Sequence, residues 1–348
     1  MSYMYEYELG KAADMLVRDS FKLKEGEIFV ITADTKSDRR VVDATARAAF
    51  SVGAKPMVIL TSTPLGTARM TDSWLPSASI RGALKEADAW VEFNTMYLLY
   101  SETHGIVMKE NPKLRYLCLP DMHTDVFVRL FARTDNRLLA EFLNKVAEMT
   151  KKAKKVRFTT PAGEDVEFEN NPDWPVDADA GYADTPGTHM LAGQIGWAPI
   201  MKSVNGVIVF DGSLVPQIGI VSQPVKVYVE EGEIKKVEGG REATQWEAWL
   251  RSFNHPQMLR VAHVCYGFHP WAKLTGQLGE DERIWGCTQW GFGSADSHSV
   301  PPDGIPAPSH TDGVSLNTSV WLDGKQIMDC GKVIEPSLVP LAEKLLKI

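Results

Sequence analysis

With 348 residues, the chain is long enough for two domains of ordinary size. At 44% apolar and 24% charged residues it has the material for a sizeable core behind a polar surface, as expected of a soluble globular protein. A formal net charge of −8 argues against a nucleic-acid partner or an anionic membrane surface. No window approaches the roughly 18 uninterrupted apolar residues of a membrane helix. The first residues, Met1-Ser2-Tyr3-Met4-Tyr5-Glu6, carry no basic segment followed by an apolar run, so the cytoplasm is the expected compartment. Cys118, Cys265, Cys287 and Cys330 form no CxxC pair and read as reduced, mostly buried thiols.

The first half alternates helix and strand signals. Residues 8–20 place Leu9, Ala13, Leu16 and Val17 at helical spacing and lead into the apolar run Ile28–Ile31. A helix over Arg39–Ala49 precedes a strand at Met57–Leu60. The pattern repeats with a helix at Ser79–Glu86 and strands at Trp90–Phe93 and Tyr116–Leu119. Short apolar strands separated by helices predict a parallel sheet covered on both faces. No glycine-rich phosphate loop follows the first strand, so no nucleotide is inferred. A long helix from about Asp135 to Lys154 ends in a lysine cluster, where cations favour the helix dipole, and marks a domain boundary there.

Beyond it, alternation with period two appears at Lys155–Thr159 and Asp165–Glu169. Further strands are expected at Val207–Phe210, Val225–Val229 and Ile234–Val237, the last two joined as a hairpin through Glu231-Gly232-Glu233. A second hairpin is expected from Ser315–Leu322 and Gln326–Asp329 around Asp323-Gly324, with helices at Glu242–Phe253 and Pro340–Lys347. The predicted fold class is therefore α/β. An N-terminal parallel-sheet domain, residues 1–154, precedes a C-terminal mixed, mostly antiparallel α+β domain, residues 155–348.

Five of the eight histidines fall between His255 and His310. In Ser309-His310-Thr311-Asp312, side chains two positions apart on an extended segment point to the same side. With His263, on a strand-like run ending at Gly267, they make two imidazoles and one carboxylate. That is the facial set that holds non-haem Fe(II) and leaves positions open for substrate and oxygen. His255 reads as a helix-ending loop residue, and His269 and His298 as exposed or supporting residues. Cys265 shares the His263 face, but no second close ligand pair exists, which excludes structural zinc. Asp121-Met122-His123-Thr124-Asp125 imitates a metal motif, although its place before Val126–Phe131 suits a helix start capped by aspartate. Tyr266, Trp271 and Trp285 are candidates to line a pocket for a flat ring. No GxSxG elbow is present. The loop Gly181-Tyr182-Ala183-Asp184-Thr185-Pro186-Gly187, followed by His189, has the glycines and proline of a shaped functional turn.

That loop, His189-x-x-x-Gly193, Val209-Phe210-Asp211-Gly212, Gly239-Gly240, Phe253-Asn254-His255-Pro256, the His263 segment and Ser309–Asp312 occur in one order. As a set they resemble the 2,5-dihydroxypyridine 5,6-dioxygenases, distant relatives of the aminopeptidase T type metallopeptidases. The resemblance spans most of the second half and, more weakly, the first. It implies a cytoplasmic homo-oligomer that binds one Fe(II) through His263, His310 and Asp312 and cleaves a small aromatic substrate, a hydroxylated pyridine, with O2. It makes His189 a catalytic as well as a substrate-binding residue, and Tyr182 a substrate-binding one. The position where the family carries a catalytic histidine is occupied here by Tyr100, with Leu99 as a pocket wall and His104 as the alternative base. A tyrosine with an ordinary pKa of about 10 is a weak base near neutrality, though it can donate a hydrogen bond or shuttle a proton. The aminopeptidase branch needs two metals and further glutamates. His255-Pro256-Gln257-Met258-Leu259-Arg260 has none where those relatives do, so a metal-dependent hydrolase is the second reading.

Overall fold

The computed structural model describes residues 5–215 and 217–347. Backbone contacts divide the chain into two compact units, Met1–Asn136 with Ala180–Ala192, and Arg137–Asp179 with Gly193–Ile348. The division thus falls before the long helix Asn136–Lys152 rather than after it. Six of that helix's residues (Leu139, Phe142, Leu143, Val146, Ala147 and Thr150) are buried, and Phe142 packs on Phe268 and Trp285 of the second unit. The apolar stripe of this helix, not its lysine end, decides where it belongs.

In the first unit, strands Ile28–Asp34, Lys55–Thr61, Ala89–Glu92, Arg115–Cys118 and Gly187–Met190 form one five-stranded parallel sheet. Ile28–Asp34 lies in its interior and is buried from its second residue onward, which its uninterrupted apolar run requires of a strand covered on both faces. The fifth strand belongs to the returning segment Ala180–Ala192 and pairs parallel with Arg115–Cys118. The N-terminal helix Glu6–Met15 continues as a wider π turn, Leu16–Ser20. The short helix Thr124–Phe127 is not capped by the Asp121–Asp125 segment. Asp38, which also caps its own helix Arg39–Ser51, accepts from Thr124 N and Oγ1 at 2.8 and 2.7 Å.

The second unit contains an eight-stranded and a seven-stranded antiparallel sheet. Phe158 and Phe168 of the first meet Trp197, Tyr266 and Trp290 of the second, with ring centroids between 4.7 and 6.5 Å apart across the set. This aromatic layer is the core between the sheets, and it takes up Tyr266. The predicted strand Ser315–Leu322 is in fact two. Ile305–Ser315 ends at Ser315 in the seven-stranded sheet, and Ser319–Leu322 begins in the other. Asn317, at φ +53°, makes the corner. Cys118, Cys265 and Cys287 are buried and Cys330 is exposed, all four as free thiols.

Candidate metal centre

The seven-stranded sheet buries one face in the aromatic layer and turns the other away. Alternation along three neighbouring strands decides which side chains share that second face. On Val261–Gly267 it carries His263 and Cys265, on Cys287–Ala295 Gln289 and Gly291, and on Ile305–Ser315 His310 and Asp312. The register aligns His263 with Gly291, Gly291 with Asp312, and Gly293 with His310. Register shifts beside His263 and Gly293 locally break the ladder, as bulges next to functional sites do.

The structure brings the three predicted ligands together. His263 Nε2 and His310 Nε2 are 3.0 Å apart, and Asp312 Oδ1 lies 3.0 Å from His310 Nε2 and 3.3 Å from His263 Nε2. Neighbouring ligands at right angles around one cation, with bonds of about 2.1 Å, are about 3 Å apart. The donor set therefore fits a single divalent ion, and it is the one such cluster of three among the described residues. The two imidazole planes are nearly parallel, at 9°.

Space for this convergence comes from a missing side chain. A Cβ at Gly291 would lie 2.3 Å from His263 Nε2. The middle strand thus passes beneath the cluster without filling it.

Surrounding groups orient the ligands. His310 Nδ1 donates to Ser294 O at 2.7 Å, which leaves its Nε2 lone pair for the centre. His263 Nδ1 faces Cys265 Sγ at 3.4 Å. Burial, with Glu282 adding to it, pushes that thiol well up, so it stays protonated. Gln289 Nε2 donates to Asp312 Oδ1 and is itself held through Oε1 by Gln194 Nε2 at 3.2 Å. Burial opposes ionisation of Asp312, but His310 and His263 outweigh it and hold the carboxyl below the usual carboxylate range. Burial likewise lowers the His310 pKa, and Asp312 more than reverses that.

A buried ionic group stands near by. Arg283 bonds Glu282 and lies 3.8 Å from Asp179, so two carboxylates share one guanidinium. Burial pushes Asp179 up to about 7, with Arg283 restraining the rise and Glu282 adding to it. Burial also raises Glu282, and Asp312 adds to the rise. This excess of acid favours a cation at the centre.

The other predicted residues lie in the first unit. His189 is on the strand Gly187–Met190, with Nε2 bonded to Thr185 O at 2.8 Å, and Tyr182 is half-buried in the preceding loop. Tyr100 is 45% exposed at φ +67°, and Leu99 is buried in the apolar cluster with Leu98, Trp90 and Tyr116. His104 packs on Tyr116 and reaches Thr188 Oγ1 at 3.2 Å. Of the remaining histidines, His255 accepts from Gln257 N, and His298 pairs with Asp177 at the surface. His269 is fully buried, where Gly193, at φ +108°, leaves it room. Sequence reasoning missed Gly291, Gln289, Gln194, Glu282, Arg283 and Asp179. The signal for Gly291 was present, because Gly291-Phe292-Gly293 puts two glycines on one face of a strand, where close approach of another group is the usual reason.

An antiparallel β unit carrying two imidazoles and a carboxylate, in a chain that also builds a parallel α/β unit, defines a candidate one-metal enzyme. The family model for 2,5-dihydroxypyridine 5,6-dioxygenase (NicX) matches residues 16–335, and the chain belongs to that dioxygenase family. It is 25% identical over 337 residues to the 2,5-dihydroxypyridine 5,6-dioxygenase of Pseudomonas putida KT2440, covering 90% of this chain and 93% of that one. The solved structure of that organism's 2,5-dihydroxypyridine dioxygenase superposes with a TM-score of 0.78 at 21% identity, over 95% of this chain and 98% of the other. Wild-type AmpT from Thermus thermophilus shares the fold, with a TM-score of 0.70 at 16% identity, over 95% of this chain and 100% of its own. Among the described residues, no helix is long and apolar enough to cross a membrane.

Proposed function

We propose that this dioxygenase is a mononuclear, non-haem Fe(II) enzyme that cleaves the ring of a hydroxylated pyridine or related aromatic. The convergence of His263, His310 and Asp312 at mutual distances of 3.0, 3.0 and 3.3 Å carries the reading, and family membership supports the substrate class. When bound, Fe(II) supplies the redox chemistry that lets O2 react with a ring bearing a deprotonated hydroxyl. His263 and His310 hold it through Nε2 and Asp312 through a carboxylate oxygen, while Ser294 O and Gln289 fix their orientation. Tyr100, at the position of the resembled family's histidine, and His189 orient the ring and move protons. His189 and Tyr182 bind substrate, and Leu99 backs Tyr100. A cytoplasmic homo-oligomer completes the reading.

Metal analysis with oxygen-uptake measurements on hydroxypyridines tests it. Iron at one per chain with O2 consumed in step with substrate is the expected result. Activity retained without oxygen on Zn or Mn overturns it in favour of a hydrolase. His310→Ala should abolish both metal content and turnover, and unchanged metal content in that variant refutes the site.

A further inference from the structure

From the interior strand Ile28–Asp34 of the parallel sheet, the chain goes first to Lys55–Thr61 on one side and then back to Ala89–Glu92 on the other. The connections leaving the two adjacent strands Ile28–Asp34 and Ala89–Glu92 therefore diverge. In open α/β sheets that divergence opens the crevice, outside the carboxyl ends of the strands, where ligands bind. Asp34 and Glu92 are the last residues of those strands, and both are fully buried.

One oxygen of each carboxylate bonds the loop after Glu92. Asp34 Oδ2 accepts from Thr95 N and Met96 N at 2.7 and 3.3 Å, and its Oδ1 accepts from Lys36 N and Thr63 Oγ1, both at 2.9 Å. Glu92 Oε1 accepts from Leu98 N at 2.6 Å, the Leu99 amide also bonds this carboxylate, and the Tyr116 hydroxyl donates to its Oε2. Past the loop, Asp72 accepts from Glu102 N at 2.8 Å and from Thr103 N and Oγ1 at 3.0 and 2.7 Å, and Ser101 Oγ accepts from His104 N at 3.0 Å. Between these clamps sits Tyr100, 45% exposed and in the left-handed region at φ +67°. An L side chain persists there only where its surroundings over-determine it, and such outliers gather at ligand sites. Leu99 beneath it is locked in the apolar cluster.

We propose that Asp34 and Glu92 are positioning residues. They tie the Thr95–Ser101 loop to the carboxyl ends of two diverging strands, so that Tyr100 is presented to an aromatic ligand in a single orientation. The inference rests on the dioxygenase reading for the identity of that ligand, but the clamp itself is a property of the first unit. Burial pushes Glu92 up to about 7, restrained by the Tyr116 and amide hydrogen bonds. Glutamine is consequently a close isostere of its protonated form, whereas methionine matches its size without an acceptor.

The test uses the metal-loaded full chain as wild type, Glu92→Gln and Glu92→Met, read as metal content, kcat and KM on a hydroxypyridine. Since every ligand of the metal centre belongs to the second unit, metal content should be equal in all three. Glu92→Met should lose about 10- to 100-fold in kcat/KM, because loose positioning by about 1 Å costs that much. Glu92→Gln should stay within about threefold, since it keeps the acceptor for the amides. Wild-type kcat/KM in folded, metal-loaded Glu92→Met, or a loss in Glu92→Gln as deep as in Glu92→Met, overturns the proposal. Should Glu92→Met not fold, amide exchange in the wild type decides. Leu98 and Leu99 amides exchanging as slowly as Val91 support the clamp, and exchange at the rate of an open loop sinks it. A wild type with no oxygen uptake on hydroxypyridines instead defeats the dioxygenase reading, and amide exchange then remains the test of the clamp.

Discussion

Gly291→Ala isolates the feature on which the proposed metal centre depends. The added Cβ would stand 2.3 Å from His263 Nε2, where ordinary contact begins at 3.4 Å, so the imidazole must retreat by about 1.1 Å or the strand must yield. The strand cannot yield readily, because Gly291 is paired on both sides, with His263 and with Asp312. Metal–ligand distances tolerate only about 0.2 Å, so a shift of that size removes His263 from coordination. An overpacked interior position costs about 1–3 kcal/mol, less where a half-buried ring can swing aside. The metal-free variant should therefore fold, with its urea midpoint only modestly lowered. Metal content after reconstitution should fall well below one per chain, with oxygen uptake lost in proportion. The matched control is Gly293→Ala. There the Cβ meets Ser309 O at 2.4 Å on a backbone at φ +99°, and the damage should appear first as lost stability. Full metal loading and turnover in Gly291→Ala, with His263 still coordinating, would refute the argument that an empty position makes this site.

Two other perturbations probe the surroundings of the centre. Gln289→Leu strips Asp312 of its donor and leaves Gln194 Nε2 without the acceptor it now uses, so metal affinity should weaken by about 10- to 100-fold in a competition titration. Unaltered affinity would show that Asp312 needs no such orientation. Across the opposite face of the Gln289 strand, where Trp290 Nε1 donates to Glu164 Oε1 at 2.9 Å, burial pushes Glu164 up to about 7 from an ordinary 4.5, with the Trp290 hydrogen bond restraining the rise and Asp211 adding to it. A carboxyl raised on folding keeps its proton in the native state longer than in the unfolded chain. Its contribution is thus intact below about pH 4.5 and is lost as pH climbs to about 7 and beyond, by about 3 kcal/mol at most. Glu164→Gln should flatten the fall in stability between about pH 4.5 and 7 measured by urea unfolding, and an unchanged pH profile would contradict it.

Much of the fold could be read from periodicity, for reasons visible in particular elements. Ile28–Asp34 is apolar because both its faces are covered, and Lys155–Thr159 alternates because only one is. The misreadings occurred where a long-range partner overrode a local signal. The lysine-rich end of Asn136–Lys152 looks like a boundary, yet the buried stripe behind it ties the whole helix to the second unit. Ser315–Leu322 reads as one strand leading into the Asp323-Gly324 turn, but its two ends pair in different sheets, and the local mark of that switch is the polar stretch Asn317-Thr318-Ser319 with Asn317 left-handed. Asp38 caps a helix 86 residues away, a relation no sequence window contains.

The proposed metal centre divides along the same line. His310 and Asp312 could be paired in advance because they sit on one strand, where spacing alone fixes their common face. His263 could be suspected but not placed, since its approach depends on the register of an intervening strand that contributes no ligand. That strand does its part by subtraction, with Gly291 leaving room for the convergence of two imidazoles and a carboxylate, and a search for ligand residues passes over it. The first unit presents the converse case. Tyr100 stands where the resembled family has a histidine, and a substituted side chain would ordinarily weaken a functional reading. Here the loop beneath it is held by two buried carboxylates and its backbone is kept in a costly conformation. A protein that had abandoned the position would be expected to relax to glycine or to an unstrained turn. On the proposed reading this strained, exposed aromatic residue serves the position with a hydroxyl in place of an imidazole, which is what the Glu92 variants test.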